Sequence, residues 1–400
     1  MGNATGSLTT SQRDQFANRL LGQVKGETGI QSLSTGNQVT NFVNTIYGIG
    51  DPLVTRLSQL VGRTLMAVRP YESKLRGIEV TREDYGWITR KMNFVDDVVE
   101  PNMTFQLTDG QSIDPWIVHK PKVVETQSYG GGQITRYMTI FEDQIKGAFT
   151  SAGALDEFIS GVLMHFNNQV EQDREQYKRT ALINLMGCLS TYADRCIYLI
   201  SEYNQATGSS LTATSVFAPA NFEAFTQWLY GFIQKLIGLM SERSYKYHLN
   251  PTTASPVSGN IARQTALRNM RVFMNTGFKA DMTARVVANT FNRDELREVQ
   301  YESVNFWQSI DNPTSINVSV DPLDTALQET GPAPANLDNV FGLLMDRDAL
   351  AVSYMNDNTG NSPYNQRGRY YNIFHNEDVK IVQDLTENAV LLLLDVDPNA

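Results

Sequence analysis

The residues of this sequence best suited to chemistry are four histidines, two cysteines and several close carboxylate pairs. Their spacing assembles none of the usual sites. His119, His165, His248 and His375 stand far apart, none has a second His or Cys at metal-ligand spacing, and no His-Glu-x-x-His occurs. Cys188 and Cys196, with seven residues between them, lack an activating context and are expected to be reduced, half-buried thiols with no disulfide framework. A serine nucleophile elbow is absent. The acidic pairs Asp96–Asp97, Glu142–Asp143 and Asp346–Asp348 fall near turns and strand ends, where carboxylates are solvated or cap the backbone. Gly130-Gly131-Gly132 could suggest a phosphate loop, but a strand-like run follows it where a helix is needed. Tyr370, Tyr371 and Phe374 beside Arg367 and Arg369 could stack bases, although sheet aromatics flanked by two exposed arginines is the better reading. No catalytic residue, metal or cofactor is therefore expected, and an enzyme with an unrecognised local signature stands only as an alternative.

The composition narrows the class. A hydrophobic content of 41% in 400 residues excludes wholesale disorder and allows one large or two to three ordinary domains. Charged residues make up 19%, and Asn, Gln, Ser and Thr fill the gap, a surface suited to extensive polar contact between subunits. The net charge is −10 with no basic stripe, which argues against sequence-specific nucleic-acid binding. The longest apolar run, Ala389 to Leu394, is strand-sized, so no membrane span is expected. The start, Met1 to Gly6, lacks the Ser or Thr of a myristoylation signal and is no signal peptide. The sequons at Asn3 and Asn102 mean nothing without secretion, and a soluble, cytoplasmically made chain is expected.

Thin appendages and one long helix organise the chain. Residues 1–50 are small and polar, with scattered Phe16, Leu20, Leu21, Phe42 and Ile46, too little for a core but enough to dock an arm elsewhere. Asp51-Pro52 opens a short amphipathic helix over residues 51–66, with Leu53, Val54, Leu57, Leu60 and Val61 on one face. Residues 67–145 read as strands and turns, with runs at 95–99, 104–107 and 123–126, and Ile134 to Ile140 after the three glycines reads as a hairpin. Such a ribbon is marginal alone and needs a partner surface.

A helix is expected from Ala152 to Leu189, capped by Ser151, because Leu155, Phe158, Ile159, Val162, Leu163, Phe166, Val170, Tyr177, Ala181, Leu182 and Leu185 recur at steps of three and four. It would span about 55 Å. Residues 190–339 are expected to hold a helix at 221–245, another at 281–291, strands at 271–274 and 316–320, and an exit at Gly331-Pro332-Ala333-Pro334. Strands at 340–345, 349–355, 370–374, 379–382 and 389–395 are expected to form one terminal sheet.

Three blocks carry a resemblance. The first is Lys146, Ala148, Phe149, Ser151, Gly153, Phe158 and Ser160, continuing through Asn168, Glu171, Asp173 and Tyr177. The second is Asp346-Arg347-Asp348, then Arg367-Gly368 with Tyr370 and Asn372, then Asn388-Ala389-Val390; the third is Val287-Ala288 with Phe291-Asn292. In order and spacing they resemble the major head proteins of small podoviruses of the phi-29 group, over about a third of the chain. The resemblance implies an α+β capsid subunit of the Hong Kong 97 type. It assigns 1–50 to an amino-terminal arm, 51–66 to a short helix and 67–145 to an extended hairpin loop over a neighbouring subunit. It assigns 146–189 to the spine helix of a peripheral domain, 190–339 to an axial domain, and 340–400 to the peripheral sheet and carboxy terminus.

The same resemblance implies pentamers and hexamers in an icosahedral or prolate shell around double-stranded DNA, assembled in the host bacterial cytoplasm. Scaffolding, portal and head-fibre or decoration proteins are its implied partners, with no membrane. The chain stops after the last strand, so the immunoglobulin-like domain of some relatives is not expected, and no Lys–Asn cross-link position is matched. Contacts between subunits are expected at Phe16, Leu20 and Phe42 of the arm, at Trp116, Tyr129, Gly131 and Arg136 of the hairpin, and at Arg367 and Arg369. A cellular compartment shell of the same fold is the nearest alternative.

Overall fold

The structure is a computed structural model that describes residues 71–80, 88–95, 116, 118, 120–129, 131–141, 152–250, 259–278, 300–324, 326–328 and 330–398. The expected arm, the short helix at 51–66, the strand at 104–107, the cap at Ser151 and the helix at 281–291 lie outside the described residues. In chain order the elements are β1 (Ile88–Val95), β2 (Lys122–Tyr129), β3 (Gly131–Phe141), α1 (Ala152–Ser190), β4 (Cys196–Tyr198), α2 (Leu199–Thr207), α3 (Pro219–Ser241), β5 (Met270–Asn275) and β6 (Gln300–Val304). They continue with β7 (Ile316–Val320), β8 (Ala333–Leu337), β9 (Val340–Asp346), β10 (Leu350–Asn361), β11 (Tyr370–Gln383) and β12 (Ala389–Leu393). The chain divides into two compact units, one holding 132–176 and 354–379, the other 74–131, 177–353 and 380–400.

The first unit contains the amino-terminal part of α1 and most of a three-stranded sheet in the order β10-β11-β3. Thr135 donates to Asn376 (2.9 Å) and Thr139 to Asn372 (2.7 Å), so the partner number falls by four as the donor's rises by four, the mark of antiparallel neighbours. Phe166 and Val170 of α1 are buried, as are Met355 and Ile373 of the sheet. Between these apolar positions lies a charged network. Arg174 grips Glu377 through Nε and Nη2, donates from Nη1 to Glu171 (3.2 Å), and lies 5.1 Å from the Tyr354 ring centroid.

The second unit is built on a five-stranded mixed sheet in the order β4-β12-β9-β5-β6. β9 and β12 are buried at every position, which is why their sequences run apolar without alternation. On one face Met270, Val272, Met274, Leu344, Val390 and Leu392 pack against Leu199, Ile200 and Tyr203 of α2 and Phe225, Leu229, Ile233 and Leu236 of α3. Gly342 lets β9 approach β5, because a Cβ there would sit 2.4 Å from the Phe273 carbonyl oxygen. Gly187 plays the like part in α1, where a Cβ would meet Val318 and Val320 of β7 at 2.8 Å. The end of α1 is satisfied by Ser190 and Thr191 hydroxyls on the carbonyls of Gly187 and Cys188.

Four expectations need correction. The strand before the three glycines does not pair with the one after them: β2 pairs with β1, and β3 joins β11. A tight hairpin turn needs positive φ, and neither Gly131 nor Gly132 has it, so the chain runs through them extended into a different sheet. The terminal strands do not make one sheet, because β9 and β12 pair with β5 and β4 while β10 and β11 pair with each other. The expected boundary at residue 340 consequently cuts the five-stranded sheet. The proline run is no exit: Pro334 lies in β8 opposite Ser319 of β7, where the open edge of a two-stranded sheet tolerates the missing N–H. The helix expected to reach residue 245 ends at Ser241, beyond which Ser244 pairs with Arg263.

Candidate functional site

Among the described residues, Cys188, Cys196, His248 and Arg195 are buried in the fold. Cys188 accepts a bond from the Gln383 amide (3.2 Å), and burial pushes both thiols up, Cys196 to about 11, away from the reactive thiolate. His248 is buried with Nδ1 facing the Lys246 carbonyl and Asn388 Oδ1, and Nε2 facing the Ile261 carbonyl and Asn250 Oδ1. Burial lowers its pKa against the pull of the bonds to Ile261, Lys246 and Asn388. Arg195 donates to the Leu385 carbonyl, and burial brings it down to about 10. Among the described residues no cluster could hold a metal ion.

What the second unit does present is a surface built by β1 and β2. These pair antiparallel from Ile88–Tyr129 to Val95–Lys122, so residues of one parity on β1 share a face with the opposite parity on β2. On β1 the alternation is complete: Ile88, Arg90, Met92 and Phe94 are exposed, while Thr89, Lys91, Asn93 and Val95 are half-buried or buried. The outward face carries the large apolar residues of β1, with Arg90, Glu125 and Gln127 between them. Ile88, Met92 and Phe94 keep 52%, 64% and 65% of their surface in water, with Val123 beside Phe94 also exposed.

The inward face is polar. Lys91 Nζ donates to Asp384 Oδ2 and to Glu387 Oε1, and Asn93 accepts from Arg263 and donates to Thr386 Oγ1 (3.4 Å). Arg263 also donates to the Thr386 carbonyl (3.0 Å) and lies 3.6 Å from Glu387. Burial pushes the Glu387 carboxyl up, while Lys91 and Arg263 oppose it. At the Val95 end an apolar contact joins ribbon to body, through Val124 and Ile261.

The residues expected at subunit contacts fall in separate places. Phe16, Leu20 and Phe42 lie outside the described residues. Trp116 is 84% exposed, and Tyr129 closes the ribbon opposite Ile88. Gly131 opens β3 and is exposed. Arg136 is engaged within its own unit, where its guanidinium grips the Asp173 carboxylate through Nε (2.8 Å) and Nη2. Arg367 and Arg369 share one exposed turn, closed by Asn365 N to the Tyr370 carbonyl (3.0 Å) and Arg369 N to the Asn365 carbonyl (2.7 Å). Beside that turn Tyr370 meets Phe141 edge-on and Tyr371 lies on Tyr364, so the aromatics are packed. Ile88, Met92 and Phe94 were missed, although their shared even positions, broken by Arg90, were the signal that could have found them.

Residues 32–393 match the model of a family described as Phi29-like phage major capsid protein. No curated protein matches the sequence. Among solved structures, one similar chain comes from the capsid structure of Staphylococcus phage Andhra, at 11% identity and TM-score 0.52, covering 82% of this chain and 86% of that one. Another comes from the structure of head fiber and inner core protein gp22 of native bacteriophage P68, at 8% identity and TM-score 0.52, covering 82% and 87%.

Proposed function

Because the chain belongs to the Phi29-like phage major capsid protein family, we propose that its copies form rings of five and six and close into an icosahedral or prolate shell around double-stranded DNA, each copy laying its β1–β2 ribbon on a neighbour. The family's role is structural, a shell made of many copies, and the fold shared with the two phage structures is the Hong Kong 97 type.

The observation that carries the ribbon's part is its outward apolar face. Ile88, Met92 and Phe94 share one face in water although the same chain buries Leu, Ile and Val throughout the second unit. A solvent-facing run of this kind on a two-stranded ribbon is stabilised by a partner surface. Trp116, Tyr129, Gly131, Arg367 and Arg369 are proposed to add to the contacts, with Phe16, Leu20 and Phe42 of the arm. Arg136 is proposed to act from its pair with Asp173.

The domain reading is proposed in revised form. α1 serves as the spine of the peripheral domain together with the three-stranded sheet. The five-stranded sheet with α2 and α3 forms the axial domain around the ring centres, and the ribbon forms the extended loop. Many weak contacts per copy suffice, since neighbours already in place raise the effective concentration of the rest. The acidic balance of the chain suits a wall that holds DNA without binding its sequence. Assembly in the host cytoplasm, with scaffolding, portal and head-fibre or decoration proteins as partners, completes the reading.

Negative-stain microscopy of the expressed chain, alone and with a co-expressed scaffold, tests it. Shells, rings or curved sheets are expected. Discrete small particles under both conditions would overturn it.

A further inference from the structure

A two-stranded ribbon ordinarily keeps its place by burying an apolar face. In this molecule the face against the body carries Thr89, Lys91 and Asn93 from β1 and Val124, Thr126 and Ser128 from β2. Three features follow one another along it. At one end the small cluster of Val95, Val124 and Ile261 gives an apolar seat. Four residues back, Lys91 sits between Asp384 and Glu387. Beyond Lys91 the ribbon borders a cleft of about 570 Å³, lined by Thr89, Thr126 and Ser128 on the ribbon and by Ala351, Ser353 and Lys380 on the body. The sequence of features is a pivot, a fastening and a gap.

We propose that the β1–β2 ribbon is a strap that turns about Val95, Val124 and Ile261, and that Lys91, held between Asp384 and Glu387, is the lock that fixes its angle over the cleft. The lever is set by strand geometry. At about 3.3 Å per residue the lock stands roughly 13 Å from the pivot and Ile88 roughly 23 Å, so a turn of about 10° carries the Ile88 end about 4 Å. That end carries part of the outward apolar face, so the lock sets the height at which the face is offered.

The lock is electrostatic on every side. Asp384 and Glu387 face it from the segment between β11 and β12, and Arg263 reaches Glu387 from the segment before β5. Asp346 acts on Glu387 from β9, Asp348 and Lys380 line the same cleft, and Arg90 pairs with Glu125 on the ribbon at 3.7 Å. Side chains of the fork keep between 11% and 27% of their surface, enough for Lys91 to leave into water without opening the apolar core. Once Lys91 leaves, two neighbouring carboxylates face each other with Arg263 as the cation close to Glu387, and the Asn93 bonds to Arg263 and Thr386, nearer the pivot, are left to hold the ribbon with a shorter arm.

Spin labels at Gln127→Cys and Ser319→Cys in the full, unassembled chain read the strap directly, since Cys188 and Cys196 are buried. Pulsed electron resonance of the otherwise native chain is expected to give one narrow distance. Lys91→Met is expected to broaden it by about 3 Å or more, the swing that the same turn of about 10° gives at Gln127, roughly 17 Å from the pivot. Lys91→Arg is expected to restore the narrow distribution, and Asp384→Asn with Glu387→Gln to broaden it as Lys91→Met does. Circular dichroism and the urea midpoint identify which variants are folded, and the double variant stands in if Lys91→Met is not. A folded variant lacking the fork that gives the native distribution overturns the proposal. The measurement needs no shell, so its result is independent of whether the ribbon binds a neighbour.

Discussion

Replacing Phe94 by alanine separates assembly from folding, and the structure sets the size of the effect. Phe94 keeps 65% of its surface exposed and projects from the ribbon face opposite Lys91 and Asn93. Full burial of a phenylalanine is worth roughly 1.5–3 kcal/mol, so about two-thirds of that, roughly 1–2 kcal/mol, is left to be gained against a neighbour. Each copy contributes one ribbon, so the loss falls once per subunit in the shell. A loss of 1–2 kcal/mol is a factor of about 5–30 in the equilibrium, and the concentration at which assembly begins should rise by that factor. Met92→Ala, at 64% exposure, should behave alike, and the double variant should raise the threshold beyond either single change without reaching their product, since the two side chains are neighbours on one face. Light scattering against protein concentration gives the threshold, and urea unfolding of the dilute subunit gives the control. The urea stability should move by less than about 0.5 kcal/mol, as for surface positions generally. An unchanged threshold in a folded Phe94→Ala chain refutes the reasoning, as does a threshold that moves only because the subunit has lost stability.

Three further outcomes concern the subunit itself. Arg174→Met removes the guanidinium from Glu377, whose side chain is 3% exposed, and should lower the unfolding free energy by about 3–5 kcal/mol; adding Glu377→Gln should recover much of it in a denaturant titration. Burial alone would raise the Glu377 carboxyl, but bonds and charges from His375 and Arg174 hold it below its ordinary 4.5. Its contribution is therefore present above that value and drains away as pH falls through the lower folded value, so native chain but not Glu377→Gln should show this loss in melting against pH. Gly342→Ala forces a Cβ against the Phe273 carbonyl and should destabilise by about 1–3 kcal/mol, whereas Gly132→Ala, with open space at its Cβ, should assemble and melt almost as the native chain does.

Local patterns in the sequence were legible and long-range partnerships were not. The steps of three and four that predict a helix from 152 to 189 meet an observed helix over Ala152–Ser190, and the strand expected at 316–320 is β7. Both rest on periodicities that a single segment carries by itself. α2 escaped notice because Leu199–Thr207 is short, and its end is marked only by Gly208 in the left-handed region. The division of the terminal strands between two sheets had no local signal, since β9 and β12 find their partners β5 and β4 far off in the chain. Lys91 meets Asp384 and Glu387 across nearly 300 positions, and a lysine between Arg90 and Met92 reads as solvated until its partners are placed.

The harder illegibility is the ribbon's orientation. Alternation along β1 says that one face is apolar and the other polar, and the usual inference turns the apolar face inward. Here Lys91 and Asn93 reverse it, because their partners Asp384, Glu387, Thr386 and Arg263 wait on the body side. The reversal divides the work between two kinds of force. Directional charged and polar contacts fix the ribbon within its own chain. On the function proposed, the non-directional apolar area is left for association, so folding of the subunit and its assembly would not compete for the same surface. It also protects register. A slip of one residue between β1 and the body would swing Lys91 outward and bring Met92 onto two carboxylates, losing the fork and the apolar face together. An apolar seat would tolerate such a slip far better, since one hydrophobic contact substitutes for another. A lysine between two carboxylates does not, and on this argument the polar underside is the reason that the ribbon offers the same face in every copy.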